Sequence, residues 1–287
     1  MSPEVTDPVL SDFAPAKVNL SLHITGQRAD GYHLLDSLIC FAGVGDRLSA
    51  RRAATFSLRI SGPFGQGLTA GEDNLILRAA KIIAPEMPLA FTLEKNLPLA
   101  SGIGGGSSDA AAAVRLAWAL RGTGEQPGEV AALAALGADV PACLDPRAAR
   151  MRGIGEELER LGYLPQGWIL LVNPGVEVST PAVFRALTQK QNGPLPQLLP
   201  HWPDIAALAA WLKQQRNDLE PPALGLAPVI GAVIAALKGM PGQLIARMSG
   251  SGATCFALFQ GEDEARAAAA ALQAGQPGWW VAVAAIS

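Results

Sequence analysis

The segment Leu97-Pro98-Leu99-Ala100-Ser101-Gly102-Ile103-Gly104-Gly105-Gly106-Ser107-Ser108-Asp109, followed by Ala110-Ala111-Ala112-Ala113, constrains this chain more than any other. Four of the five residues from Gly102 to Gly106 are glycine. Glycines bunch where the backbone must bend sharply or approach something closely, and the alanines that follow favour helix. A loop feeding a helix N-terminus points several peptide N–H groups into one concavity, where the helix dipole adds partial positive charge. That arrangement binds phosphate. The alternative is a flexible loop whose serines cap the next helix. The Walker pattern needs a Lys after its last glycine, and Ser107, Ser108 and Asp109 stand there instead. The G-x-G-x-x-G fingerprint fails at Ser107, and His-Arg-Asp and Asp-Phe-Gly signatures are absent. The loop belongs to another phosphate-binding design.

At 287 residues the chain is long enough for a generous core and for two domains. A net charge of −3 without a dense Lys/Arg run argues against nucleic acid as a partner. Cys40, Cys143 and Cys255 are far apart in apolar surroundings, which suits buried thiols in a reducing compartment and not a disulfide frame or zinc site. The first twelve residues lack an apolar signal core, and no apolar stretch reaches membrane-spanning length. The expectation is a soluble, cytoplasmic enzyme with no membrane partner.

Residues 14–25 alternate with period two. Ala16, Val18, Leu20, Leu22 and Ile24 make one face, and Lys17, Asn19, Ser21, His23 and Thr25 the other, which predicts a strand with a single buried face. Extended segments follow over 32–41 and 46–61, then a glycine-rich turn over 62–71. The pattern predicts a helix over 74–83, a strand over 89–94 and a helix from Asp109 to Arg121, stopped by Gly122. A short helix over 130–136, connections over 189–203 and 220–228, and strands over 168–172 and 254–259 complete the reading. The class is α+β with two lobes, bordered near 151–159.

Three places outside the loop carry candidate chemistry. Lys17 and Asn19 share a strand face. Facing solvent, Lys17 only solubilises; lining a cleft, it is a point charge for a phosphate or a hydroxyl. Asp139, in Gly137-Ala138-Asp139-Val140-Pro141, reads as a helix N-cap or as a carboxylate that accepts a proton from an alcohol, and the two are compatible. Arg247-Met248-Ser249-Gly250-Ser251-Gly252-Ala253-Thr254 is a second glycine/serine loop, either a tight turn or a close backbone approach to a ligand.

Pro15-Ala16-Lys17-Val18-Asn19-Leu20, the glycine loop with its paired serines, and Ser249-Gly250-Ser251-Gly252 resemble, in order, the three motifs of the GHMP kinase superfamily. The resemblance runs from about Phe13 to Phe259. The segments 26–33, 137–141 and 152–156 are similar to one branch, whose members phosphorylate a cytidine diphosphate-linked methylerythritol. The Gly-Glu-His of mevalonate and galactose kinases is absent.

The resemblance implies a two-lobed GHMP kinase fold. Its N-terminal lobe, residues 11–155, is like domain 2 of ribosomal protein S5, its C-terminal lobe, residues 156–287, is ferredoxin-like, and the active site lies between them. It implies ATP as donor, Mg²⁺ with it, and a small-molecule acceptor phosphorylated on its 2-hydroxyl, in non-mevalonate isoprenoid biosynthesis. Asp139 falls on the catalytic base and Lys17 on the lysine that polarises the hydroxyl. Pro98, Leu99, Ala100, Ser101, Gly102, Ile103, Gly104, Gly105, Gly106, Ser107 and Ser108 fall on the ATP phosphate loop. Tyr32 and His33, with Asn19 nearby, fall on positions that hold the cytidine end. Phe184, in the segment with Thr180, resembles the aromatic that sandwiches the cytosine ring. Asn217-Asp218-Leu219-Glu220 reads as structural. Asp109 departs from some relatives that carry Asn there, and a carboxylate beside a phosphate loop repels nucleotide unless Mg²⁺ or a helix amide shields it. Neither Mg²⁺ ligands nor oligomeric state is assigned. The competing readings are another small-alcohol kinase, for homoserine or mevalonate, and an S5-like protein docking on RNA.

Overall fold

The structure, a computed structural model, describes residues 8–287. In chain order the elements begin with β1 (Leu10–Gln27), β2 (His33–Arg52), β3 (Ser57–Ser61), α1 (Leu75–Ile83) and β4 (Leu89–Glu94). Next come α2 (Gly105–Arg121), α3 (Glu129–Ala134), α4 (Val140–Leu144), β5 (Ala149–Gly153), β6 (Glu157–Arg160) and β7 (Trp168–Asn173). The chain ends with α5 (Thr180–Ala186), α6 (Ile205–Leu212), α7 (Glu220–Leu226), α8 (Val229–Lys238), β8 (Ile245–Met248), β9 (Cys255–Phe259), α9 (Glu262–Gly275) and β10 (Trp280–Ala285).

Contacts divide the described chain into two compact units. The first holds residues 8–15, Gly45–Leu97 and Gly105–Asp145; the second holds Ala16–Val44, Pro98–Gly104 and Pro146–Ser287. This interleaved partition differs from the consecutive family lobes at 11–155 and 156–287, which we retain as a proposal.

In the first unit, the later part of β2 pairs antiparallel with β4, and β3 adds to β4 in parallel. Helices α1 and α2 pack on each other, with Ile76, Leu77, Ile83, Phe91, Leu93 and Leu116 in the core. Ala110 to Ala113 are fully buried, so α2 approaches its neighbours at the distance a methyl side chain allows. The Asn74 side chain caps α1 by accepting the Ile76 N–H at 3.0 Å. Helix α2 begins at Gly105, four residues ahead of the expected start. The sequence treats Gly105 and Gly106 as loop because glycine disfavours helix interiors, but the first helical turn tolerates it.

In the second unit, the early part of β2 pairs antiparallel with β5, which forms a hairpin with β6. A separate antiparallel sheet runs β10-β7-β9-β8. With helices between β7 and β8 and between β9 and β10, this is the β-α-β-β-α-β ferredoxin-like arrangement expected of the C-terminal lobe. Ile169 to Val172 and Cys255 to Phe259 are entirely buried, so the two central strands read as continuous apolar runs. The guanidinium of Arg150 forks onto Asp36 at 2.7–2.8 Å and donates to the Leu195, Pro196 and Gln197 carbonyls, which pins an otherwise irregular connection.

Two expectations are corrected here. Residues 220–228 are not a plain connection: Glu220–Leu226 is helix α7, because Pro221 and Pro222 stand in its first turn, where a missing N–H costs nothing. Nor does β1 have a single buried face. Lys17, Asn19, Ser21 and His23 on its polar side are all under 5% exposed. The three cysteines are buried and form no disulfide.

Candidate active site

The second unit gathers most of the residues singled out in the sequence. Residues 98–104 and the late loop around 249–252 lock together through their backbones. The Thr254 N–H donates to the Ser101 carbonyl at 3.1 Å, and the Ser249 hydroxyl donates to the Gly102 carbonyl at 3.0 Å. Gly102 has φ +74°, and a Cβ there would stand 2.6 Å from the Ser249 carbonyl oxygen and 2.7 Å from that of Gly252. No other residue type fits that position. Asn217 completes the lock, its amide donating to the Met248 and Gly250 carbonyls, both at 2.9 Å.

Strand β1 is bound to the same structure. The Lys17 N–H donates to the Ile103 carbonyl at 3.0 Å, and the Lys17 side chain lies along Gly104, whose Cβ position is 3.1 Å from Lys17 Cβ. The Asn19 N–H donates to the Ser249 hydroxyl at 3.0 Å, while its side-chain amide donates to Ser37 Oγ at 2.7 Å. Asn19 is therefore a buried, oriented amide.

On α5, Ser179 caps the helix, Thr180 Oγ1 meets Ser251 Oγ at 2.7 Å, and Phe184 stacks on the His33 imidazole with centroids 4.9 Å apart and planes inclined by 25°. Burial, reinforced by the Lys190 charge, pulls the His33 pKa below its ordinary value, so the ring is neutral at pH 7. Its Nε2 is buried with no hydrogen-bond partner among the described residues. Tyr32 remains 60% exposed and makes no ring contact with this pair.

The first unit holds the rest. Gly105 and Gly106 open α2, and Gly106 is exposed; a Cβ there meets only Leu75 Cδ1, at 3.8 Å. The Ser108 hydroxyl is buried and donates to the Pro15 carbonyl at 2.7 Å, so its side chain anchors the helix inward. Asp139 occupies the N-cap position of α4, yet its side chain makes no capping hydrogen bond. Asp46, Lys95 and Asp109 form a buried ionic cluster that the sequence does not announce, since Lys95 and Asp46 are 49 residues apart. Asp109 is paired with Lys95, where the sequence leads one to expect Mg²⁺ or a helix amide as its shield. Among the described residues, no group of three or more His, Cys, Asp or Glu side chains forms a metal site.

A glycine loop heading a buried helix, interlocked with a second glycine loop and flanked by a lysine strand, defines a class of small-molecule kinase. Residues 74–145 match the GHMP kinases N terminal domain, and residues 197–277 match the GHMP kinases C terminal domain. A 4-diphosphocytidyl-2-C-methyl-D-erythritol kinase of Cereibacter sphaeroides is 57% identical over 272 residues, covering 94% of this chain and 96% of that relative. One from Dinoroseobacter shibae is 54% identical over 274 residues, covering 95% and 93%. A crystal structure of 4-(cytidine 5'-diphospho)-2C-methyl-D-erythritol kinase superposes with a TM-score of 0.77 at 35% identity, covering 97% of this chain and 99% of that one. The chain belongs to the 4-diphosphocytidyl-2-C-methyl-D-erythritol kinase family of GHMP kinases.

Proposed function

We propose that this chain transfers the γ-phosphoryl group of ATP to the 2-hydroxyl of 4-diphosphocytidyl-2-C-methyl-D-erythritol, a step of non-mevalonate isoprenoid biosynthesis. Near-complete coverage at over half identity by relatives carrying that name is the observation that bears most weight. The interlocked loops give it a physical basis, because they present backbone N–H groups that no Walker lysine accompanies.

The nucleotide phosphates rest on residues 98–108. Bound with ATP beside residues 98–108, Mg²⁺ would supply charge neutralisation for the phosphates. Asp139 accepts the proton of the 2-hydroxyl as that oxygen attacks the γ-phosphorus, and ADP departs. Lys17 orients the hydroxyl and offsets charge developing on the transferred group. A tertiary alcohol is a crowded nucleophile, so alignment outweighs base strength.

The stacked His33–Phe184 pair supplies a flat surface for cytosine, the neutral His33 ring offers its partnerless Nε2 to the pyrimidine edge, and Asn19, Tyr32 and Thr180 complete the grip. Among the described residues no helix is long and apolar enough to cross a membrane. We assign the enzyme to the cytoplasm, where ATP is at hand and a reducing environment suits three buried cysteines that form no disulfide.

The test is ADP release from MgATP with 4-diphosphocytidyl-2-C-methyl-D-erythritol beside mevalonate, homoserine and galactose. Turnover with the cytidylyl substrate alone is expected. Turnover with another alcohol keeps the kinase and discards the cytosine pocket.

A further inference from the structure

Lys95 follows β4 where the chain enters the phosphate loop, and Asp109 lies on α2 where the chain leaves it. Lys95 Nζ donates to Asp109 Oδ2 at 2.6 Å and to Asp46 Oδ2 at 2.5 Å. The second oxygen of Asp46 accepts the backbone N–H groups of Asn96 at 2.6 Å and Leu97 at 2.8 Å. All three side chains are at most 5% exposed. A Cβ at Gly105 would stand 3.0 Å from the ammonium, so Lys95 lies directly beneath the first residue of α2.

A cation under a helix N-terminus opposes the dipole, and a buried ammonium alone is costly. Asp46 and Asp109 offset both penalties, and burial, with the Asp46 charge beside it, pushes the Asp109 carboxyl up to about 7. Burial favours the neutral amine, but Asp109 and Asp46 outweigh it and hold Lys95 charged. Such a buried network is poor at adding stability, since desolvation consumes much of the attraction. What it provides is one defined geometry. Here that geometry joins the two ends of the glycine loop.

We propose that Lys95, Asp46 and Asp109 form a clasp that fixes the base of the phosphate loop, making Lys95 and Asp109 positioning residues for the nucleotide. The inference rests on the reading of residues 98–108 as the ATP loop.

Three variants test it, each checked for folding by circular dichroism and scored by KM for ATP, KM for the cytidylyl substrate, and kcat. Asp109→Ala leaves a balanced Lys95–Asp46 pair. It is expected to raise the KM for ATP about tenfold, with the cytidylyl KM within about twofold, as a small misplacement of binding groups does. Asp109→Asn restores an acceptor for Lys95 and should recover most of that loss. Lys95→Arg keeps the charge but places a planar, bulkier head beneath Gly105, so it should also raise the KM for ATP several-fold. It serves the same purpose should Asp109→Ala not fold. A folded Asp109→Ala or Lys95→Arg protein with wild-type KM for ATP overturns the clasp, as does an equal rise in both KM values. Gly106→Val separates this failure from a wrong loop assignment. If it too leaves the KM for ATP unchanged, the phosphate-loop reading itself is lost; if it raises that KM while the clasp variants do not, only the clasp is lost.

Discussion

The two ends of the glycine loop have the same composition and different reasons for it. Through Gly104 the loop is locked, the Ser101 and Gly102 carbonyls accepting from the late loop and the Ile103 carbonyl from β1. From Gly105 onward it heads α2, and Gly106 has open space around its Cβ position. Gly102 is glycine because backbone presses on it; Gly106 is glycine although nothing in the protein requires it. An empty position at a helix head is where a ligand's oxygens fit. A second contrast separates Asn217, whose amide holds the late loop in place, from Asp139, the residue proposed to meet the substrate hydroxyl.

The contrast breaks most sharply at Asp139. Asp139→Asn should lower kcat by about 10²–10⁴-fold, the range for losing a general base, with ATP affinity nearly intact by calorimetry. A change of only a few-fold removes the base assignment. Gly102→Ala should leave little folded protein, since its Cβ meets backbone on two sides at a positive φ; a normal melting curve would show that the locked half is looser than described. Gly106→Val should fold normally and lose ATP affinity by about tenfold or more, a loss of at least about 1.4 kcal/mol. Phe184→Ala should raise the cytidylyl KM more than it lowers kcat, by about 1–3 kcal/mol of lost stacking, because that grip is shared by ground and transition states. An unchanged KM takes Phe184 out of the site. The smallest effect belongs to Asn217→Ala, which should cost about 1–3 kcal/mol of stability by leaving two carbonyls without a donor, with unaltered kcat.

Much of the fold is legible in the sequence because its signals are local. The β4 boundaries at Leu89 and Glu94, the helix that ends at Ile83 and the stop at Gly122 all follow from neighbouring residues. Alternation along β1 shows that two faces exist but not that Asn19 and Ser21 are covered, because a polar face satisfied by buried hydrogen bonds looks in sequence like a solvated one. The proline pair at 221–222 hides α7 for a similar reason: the same residues end one helix or begin another. Within the site, the two loops and Lys17 announce themselves by composition and alternation. Phe184 does not, since its meaning comes from His33, 151 positions away, and only the family resemblance brings it forward. The Lys95 cluster is invisible for the same reason of distance.

The central claim is transfer to the 2-hydroxyl, and product structure tests it most directly. Phosphorus NMR of the product, recorded without proton decoupling, distinguishes the acceptor oxygens, because carbon 2 of the methylerythritol bears a methyl group and no hydrogen. A single new monoester resonance without three-bond P–O–C–H splitting is the predicted result. A resonance split by carbinol protons would place the phosphate on a primary or secondary hydroxyl and contradict the account.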